Sequence, residues 1–93
     1  MTGVYSKNPD VVFRKIADEF LLIPVRQKAI DLKSIYTLNE AAAFIWDLID
    51  GNTDILRMGE RFTEEFEVEA PQAASDITSL LSQFEALSFI RKT

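Results

Sequence analysis

Residues 34–51 read SIYTLNEAAAFIWDLIDG, and this stretch decides the fold of the chain. A β-like run ends at Leu38, and the side chain of Asn39 can then accept a hydrogen bond from a free amide in the first turn of a helix. Glu40 lies where the positive end of the helix dipole favours an acid. Gly51 tolerates the left-handed conformation that closes many helices. The stretch therefore predicts a strand followed directly by a helix.

Three short strands are predicted up to the start of that helix. Two apolar runs lie at 11–16 and 20–25, separated by a polar break. Pro24 in the second run favours a sheet edge or a strand end, because proline has no amide donor. The segment 29–38 returns as one strand or as a bent pair of short strands. A bulge is expected near residues 33–34, where the alternation of apolar side chains changes phase.

Everything after Asn39 is predicted to be helical, apart from a short tail. The predicted elements are helix one at about 40–50, helix two at about 54–66, helix three from Pro71 to about Ser88, and a β-like tail at 89–92. Thr53 is the predicted cap of helix two. Pro71 suits the first position of helix three because its φ is fixed near the helical value.

Apolar spacing predicts which faces of the last two helices are buried. The core face of helix two is formed by Ile55, Met58, Phe62 and Phe66. The core seam of helix three is formed by Ile77, Leu80, Phe84 and Leu87. Off that seam, Leu81 and two alanines either widen the core stripe or floor a shallow groove. Gly59 costs helix two about 1 kcal/mol relative to alanine, which predicts a close helix contact there.

These elements predict an α+β domain in which a three-stranded antiparallel sheet is followed by a three-helix winged helix-turn-helix-like bundle. The chain has 93 residues, enough for one small domain. Residues 1–10 are polar and contain an Asn-Pro-Asp turn signal, so they are predicted to be a flexible lead-in. Residues 11–93 are predicted to form the folded domain.

The composition argues against most catalytic chemistry. The chain has no cysteine and no histidine, which removes thiolate chemistry, the commonest general base and the commonest metal ligand. Its three glycines are isolated and form no phosphate loop. The carboxylate pairs Asp47/Asp50 and Glu60/Glu64 have a spacing typical of solvated helix surfaces. The sequence therefore predicts no catalytic residue, no metal site and no cofactor.

Targeting signals are not evident in the sequence. The first residues have no apolar core of signal-peptide length. No run approaches the roughly 20 apolar residues that span a bilayer. We therefore expect a cytoplasmic protein that does not insert into membranes.

The net charge of −5 is spread unevenly. Six of the ten basic residues lie in the first 33 positions, whereas residues 40–69 hold nine acids and two arginines. The acidic part fits an ordinary solvated face. The basic part fits that same interpretation or a surface for an anionic or carboxylate-bearing partner. Charge alone does not decide between them.

Two classes of function fit the predicted fold. A winged helix suggests a small DNA-binding regulator, but residues 71–88 contain no Lys or Arg and carry Asp76 and Glu85, so repulsion opposes docking on phosphates. The other class is peptide capture by strand addition, in which an extended peptide pairs with a free strand edge and places side chains in an apolar groove. That mode needs no ionisable catalyst.

Several motifs resemble the PqqD family, and the resemblance covers roughly residues 11–90. The matching motifs are DLKSIYTLNE at 31–40, AFIW at 43–46, LIDG at 48–51, VFR at 12–14 and FEV at 66–68. The resemblance implies a sheet on a winged-helix-like bundle, with no activity of its own. It implies that the domain binds the leader part of a ribosomally made precursor peptide. The bound peptide is presented to a modifying enzyme, often a radical S-adenosylmethionine enzyme, for synthesis of pyrroloquinoline quinone or of another peptide product.

The resemblance also implies where the leader lies: it adds as a strand beside the third strand and rests on the third helix. The implied strand edge consists of Lys33, Ser34, Ile35, Tyr36 and Thr37. The implied groove wall consists of Ala73, Ala74, Ile77, Leu81 and Phe84. A third possibility is a homodimer that buries its own strand edge or swaps a strand, which would leave no free site.

Overall fold

The structure is a computed structural model that describes residues 3–26, 29–30 and 35–93. Its strands are β1 (Tyr5–Lys7), β2 (Val11–Ile16), β3 (Glu19–Arg26), β4 (Ala29–Ile30), β5 (Tyr36–Leu38) and β6 (Ile90–Lys92). Its helices are α1 (Glu40–Leu48), α2 (Ile55–Phe66) and α3 (Ala70–Ala86). The predicted α+β class is confirmed, since an antiparallel sheet built on β2, β3 and β4 precedes three helices.

The main sheet is centred on β3. β3 pairs antiparallel with β2 on one edge and with β4 and β5 on the other. The predicted third strand thus takes the form of a pair of short strands. On this edge of β3, two residues lie between Leu22, which pairs with Tyr36, and Val25, which pairs with Ile30. Five residues separate Ile30 from Tyr36 along the chain. The pairing register with β3 therefore differs by three residues between β4 and β5. The bulge predicted near residues 33–34 lies outside the described residues.

The sequence predicts Pro24 at a sheet edge or a strand end, and it lies in the central strand β3, two residues before the end of that strand. It faces Val11, the first residue of β2. On the other edge of β3 the described pairings end at Leu22 and resume at Val25. Pro24 therefore lies where no described strand pairing needs a backbone N–H donor. A central strand can accommodate a proline at such a position.

A second, two-stranded sheet joins the two ends of the described chain. β6 lies within the predicted β-like tail and pairs antiparallel with β1, with Ser6 opposite Arg91. The sequence predicts a flexible lead-in at residues 1–10 and does not predict β1. The side chain of Tyr5 is buried in the core, and its carbonyl accepts a hydrogen bond of 2.9 Å from the amide of Gly51. This strand is stabilised by partners far away in the chain, so it leaves little local signal.

Helix α1 begins as the sequence predicts and ends earlier. The Asn39 side chain accepts a 2.8 Å hydrogen bond from the amide of Ala42, which confirms the predicted cap. The helix ends at Leu48, two residues before the predicted end. Gly51 has a φ of 82°, as its predicted left-handed role requires, but it lies beyond the C-cap Ile49 in the turn that leads to α2.

The predicted cap of α2 was wrong by one residue. Asp54 is the cap, and its carboxylate accepts a 2.8 Å hydrogen bond from the amide of Arg57. Thr53 is engaged elsewhere, because its amide and its hydroxyl both donate to the carboxylate of Asp50. The competing acceptor explains the shift: Asp50 organises the turn, and the next residue begins the helix.

Gly59 does not mark a helix contact, contrary to the prediction. A Cβ placed on it would meet no heavy atom within 4 Å. Its φ is not in the left-handed region. Neither packing within the described chain nor backbone conformation therefore requires glycine at this position of α2.

The buried face of α3 is rotated relative to the prediction. The buried residues of this helix are Ala73, Ile77, Leu81 and Phe84. Leu80 is only half-buried, and Leu87 is 45% exposed. The two possible seams share Ile77 and Phe84, so helical spacing fits both equally well.

The ends of α3 also differ slightly from the prediction. Pro71 is the second helical residue and not the first, and the helix ends at Ala86. Ser88 follows with a φ of 62°, so the chain turns into β6 instead of continuing the helix.

The core lies between the three helices and the inner face of the sheet. The Trp46 ring packs edge-on against Phe84, with 5.3 Å between the ring centres, and joins α1 to α3. The buried apolar residues are Tyr5, Leu22, Leu38, Ala42, Ala43, Ile45, Trp46, Ile49, Met58, Phe62, Ala73, Ile77, Leu81, Phe84, Phe89 and Ile90. In the described part of the chain, no helix has the length and apolar character needed to cross a membrane.

Candidate functional site

The candidate site begins at the outer edge of β5. β5 pairs with β3 on one side only, and no other strand in the described ranges pairs with its second side. An antiparallel ladder uses the amide and carbonyl groups of alternate residues. Part of the backbone of β5 therefore faces away from β3, with donors and acceptors that another strand could use.

Tyr36 holds β5 against α3. Its hydroxyl donates a 2.8 Å hydrogen bond to the side-chain carbonyl of Gln83. Its ring packs edge-on against Phe84 and Phe89, with 6.2 and 6.3 Å between ring centres. Thr37 points to the opposite face of the sheet and is exposed. The strand edge thus has a fixed position relative to one flank of α3.

That flank of α3 is partly apolar and open to solvent. Gln83 is exposed, Leu80 on the preceding turn is half-buried, and Leu87 on the following turn is exposed. These residues lie three and four positions apart, so they form one line along the helix. We call the edge of β5 and these three residues the β5–α3 surface.

A pocket of about 300 Å³ adjoins the β5–α3 surface where β5 leads into α1. Its lining residues are Asn39, Ala41, Ala42, Ile45, Phe62, Asp76, Ile77 and Leu80. Leu80 belongs to both the pocket and the β5–α3 surface. A chain that follows the edge of β5 past Leu38 would reach the mouth of this pocket.

One oxygen of each polar side chain at the pocket is already engaged within the protein. The side-chain oxygen of Asn39 caps α1. One carboxylate oxygen of Asp76 accepts a 2.8 Å hydrogen bond from the side chain of Gln72. The rest of the lining is apolar, so the pocket suits an apolar side chain better than a charged one.

The sequence-predicted site residues fall into several places. Ile35, Tyr36 and Thr37 lie in β5 or immediately before it, and Lys33 and Ser34 lie outside the described residues. Four of the five predicted groove residues are buried: Ala73, Ile77, Leu81 and Phe84. The exposed fifth residue, Ala74, lines a different groove that faces α2.

Sequence reasoning did not select Leu80, Gln83 or Asn39 for the site. Leu80 was predicted in the core seam, and the rotation of α3 moves it to the flank. No local signal marks Gln83, because its role depends on the position of Tyr36, which is 47 positions earlier in the chain. Asn39 was recognised only as a helix cap.

The acidic side chains of the described residues do not form a metal site. No group of three or more His, Cys, Asp or Glu side chains there is placed to hold a metal ion. Hydrogen bonds from the amides of Asn52 and Thr53 lower the pKa of Asp50. This shift belongs to the turn between α1 and α2, and not to the β5–α3 surface.

Comparisons with known proteins concern the family and the fold of this chain. The sequence profile of the family described as coenzyme PQQ synthesis protein D (PqqD) matches residues 20–90. The match includes β3, β5 and all three helices. No curated protein sequence matches the chain significantly.

A solved structure has a similar fold. It is described as TbiB1 in complex with the TbiA(beta) leader peptide, and it matches this chain with a TM-score of 0.75. The match covers 92% of this chain and 94% of that chain, at 19% sequence identity. At this identity the likeness concerns the fold.

Proposed function

This chain belongs to the PqqD family, and we propose that it is a non-catalytic adaptor that captures the leader part of a ribosomally made precursor peptide and presents it to a modifying enzyme. One observation carries the proposal: the outer edge of β5 is unpaired in the described structure and is held beside an open flank of α3. A leader peptide bound to a protein of similar fold supports it.

Backbone pairing supplies the general part of the affinity. An extended peptide lying along β5 would pair with the backbone amides and carbonyls of β5 that do not bond to β3. Such bonds do not depend on the side chains of the peptide. The edge therefore suits a protein that must hold a flexible segment without acting on it.

Side-chain contacts supply the selectivity. Alternate side chains of an added strand would point toward α3 and meet the flank formed by Leu80, Gln83 and Leu87. Ala73, Leu81 and Phe84 would then support this surface from below, since they are buried. We thus propose that the buried residues of the groove wall implied by the family resemblance act mainly by holding their exposed neighbours on α3 in place.

The pocket beside β5 is proposed to receive one apolar side chain of the leader. Complete burial of a Leu, Ile or Phe side chain contributes about 1.5–3 kcal/mol. This corresponds to roughly 10–150-fold in affinity. A leader with an apolar residue just beyond its strand segment is therefore the expected ligand class.

The receiving enzyme is proposed to be of the radical S-adenosylmethionine type, and the product to be pyrroloquinoline quinone or another modified peptide. Family membership is the support for this part of the proposal. The genes that neighbour this one would discriminate between the two kinds of product.

The test is an NMR titration of the protein with the leader segment of a precursor encoded beside it. We expect saturable amide shifts at 35–38 and 80–87, where the strand edge and the flank of α3 lie. A peptide of the same composition in scrambled order is the control and should bind more weakly, because it keeps the backbone pairing but misplaces its apolar side chains. Saturation without shifts at β5, or no binding to any precursor encoded nearby, would contradict the proposal.

A further inference from the structure

A second apolar surface lies between α2 and the first half of α3. It is a groove of about 390 Å³. Its lining residues are Ile55, Leu56, Gly59, Glu60, Thr63, Ala70 and Ala74. Leu56 lines the groove and is the most exposed large aliphatic side chain of the described residues, at 67%. We call this surface the α2–α3 groove.

Gly59 lies in this groove, and nothing inside the described domain explains it. Glycine in the interior of a helix costs about 1 kcal/mol relative to alanine. A Cβ at this position would meet no atom of the protein within 4 Å, and the backbone is not left-handed. What glycine does provide is bare backbone at the floor of an open apolar groove. Such a position allows a group from outside the chain to approach closely.

The groove and the β5–α3 surface lie on opposite sides of α3. Ala74 belongs to the groove, and Gln83 contacts β5. These two residues are nine positions apart, which is about two and a half helical turns. A molecule in the α2–α3 groove would therefore leave the β5–α3 surface accessible, and both could be occupied at once.

Charge indicates the kind of partner that fits the groove. The groove is formed by α2 and the start of α3, and residues 54–69, which include α2 and the connection to α3, hold six acids and two arginines, a net charge of −4. One of the arginines, Arg57, already pairs with Glu60 at 3.4 Å. Glu60 lines the groove itself, so an acidic side chain and a net negative segment border its apolar surface. Complementarity requires a basic surface that carries an apolar side chain.

We propose that the α2–α3 groove docks the enzyme that receives the peptide, through a basic segment whose apolar side chain rests on Gly59. This inference rests on the proposed adaptor function and assigns a second surface to it. Because the two surfaces lie on opposite sides of α3, the adaptor holds the peptide on one side and its enzyme on the other.

The test uses Gly59→Gln, which places a long side chain in the groove. Glutamine forms helices better than glycine, so the substitution does not threaten the fold. Ser82→Gln, at an exposed position of α3 outside both surfaces, is the matched control. The measurements are the affinities of each variant for the leader peptide and for the modifying enzyme encoded beside it, by calorimetry.

We expect Gly59→Gln to weaken enzyme binding at least tenfold and to leave peptide affinity within twofold of the wild type. Enzyme binding by the wild type should also weaken as salt is raised from about 50 to 500 mM, because salt screens exposed charges. Ser82→Gln should change neither affinity.

Three results would overturn the inference. Unchanged enzyme affinity in Gly59→Gln would show that the groove is not the docking surface. Wild-type protein that binds the peptide but not the enzyme would show that this enzyme is not the partner of the groove. A change in the oligomeric state of the free protein on substitution would assign the groove to self-association. Failure of the wild type to bind the leader at all would instead refute the adaptor function, which keeps the two proposals distinguishable.

Discussion

At the residue scale, Asp50 shows how one carboxylate organises a connection between helices. It accepts hydrogen bonds of 2.8 Å from the amides of Asn52 and Thr53 and one of 3.0 Å from the Thr53 hydroxyl. These donors favour the ionised form, so the pKa of Asp50 falls below its ordinary value of 3.8. The turn they form positions Asp54 to begin α2.

We predict that Asp50→Ala lowers the melting temperature at pH 7 and that its difference from the wild type shrinks in acid. The folded pKa is lower than the unfolded one, so this stabilisation is complete above the unfolded value and is lost as pH falls through the folded value. Thermal melts between pH 7 and pH 2 measure the effect, and an NMR titration reads the pKa directly. Asp47→Ala, at an exposed position on α1, is the control. An equal deficit for Asp50→Ala at both ends of the pH range would contradict the assignment.

The choice of buried face in α3 also depends on the size of single side chains. Ala73 contributes little to an apolar pattern because its side chain is small, so the spacing of Ile77, Leu80, Phe84 and Leu87 seemed the better seam. In the structure Trp46 packs against Phe84, and the alternative seam with Ala73 and Leu81 is buried. A small residue is therefore buried in place of a larger one, although helical spacing fits both seams equally well.

At the scale of elements, the edge of β5 and the flank of α3 make separate contributions that can be tested separately. The edge offers backbone groups, and the flank offers side chains. Ile35 is suited to testing the first, because it lies just before β5 and has no partner in the described register with β3. Leu80 is suited to testing the second, because it is shared by the flank and the pocket.

We predict that Ile35→Pro weakens leader binding and that Ile35→Ala weakens it less. Both variants remove the isoleucine side chain, but only proline also removes the backbone amide that an added strand would use. Loss of one such hydrogen bond corresponds to about 0.5–1.5 kcal/mol, or roughly 2–10-fold in affinity. Calorimetry with the leader peptide measures the dissociation constant of each variant. Equal affinities for the two variants would place the peptide away from this amide.

We predict that Leu80→Ser reduces leader affinity about tenfold, because most of the burial of one apolar side chain is lost at the pocket. Leu56→Ser removes the same side chain on the far side of the molecule, so its peptide affinity should match the wild type. Circular dichroism melts check that both variants remain folded. If the two variants lost affinity equally, the pocket would not be the site of the contact.

At the scale of the whole molecule, two sheets and three helices share one core that the described ends of the chain help to close. β1 pairs with β6, and Lys7 of β1 lies over the Trp46 ring, with 5.3 Å from its amino nitrogen to the ring centre. Helix α3 is packed against α2 on one side and linked to β5 on the other. A ligand at the β5–α3 surface therefore contacts elements that unfold together with the core.

We predict that leader binding stabilises the whole domain and leaves one chain per complex. A ligand present at 100 times its dissociation constant adds about 2.7 kcal/mol to the free energy of unfolding. In a domain of this size that raises the melting temperature by roughly 10–20 °C. Differential scanning calorimetry measures the shift, and light scattering measures the mass with and without peptide. A homodimer that dissociates when peptide is added would show that the free protein covers its own strand edge.

The sequence by itself determined whatever depends on neighbours along the chain. The Asn39 cap, the apolar runs of β2 and β3, and the order in which the strands of the main sheet precede the three helices all follow from short-range hydrogen bonding and periodicity, and they are confirmed. The family follows from motifs that span the same segments. The strand-edge residues of the site follow from the family resemblance and stay a prediction.

Only the tertiary structure decided what depends on distant partners. The pairing of β1 with β6, the rotation of α3, the place of Pro24 in a central strand and the bond between Tyr36 and Gln83 join residues that are far apart in the chain. Periodicity limits a helix to a few possible orientations, and the packing of its neighbours selects one. In this protein that selection buries most of the implied groove wall and places Leu80 and Gln83 at the surface beside β5.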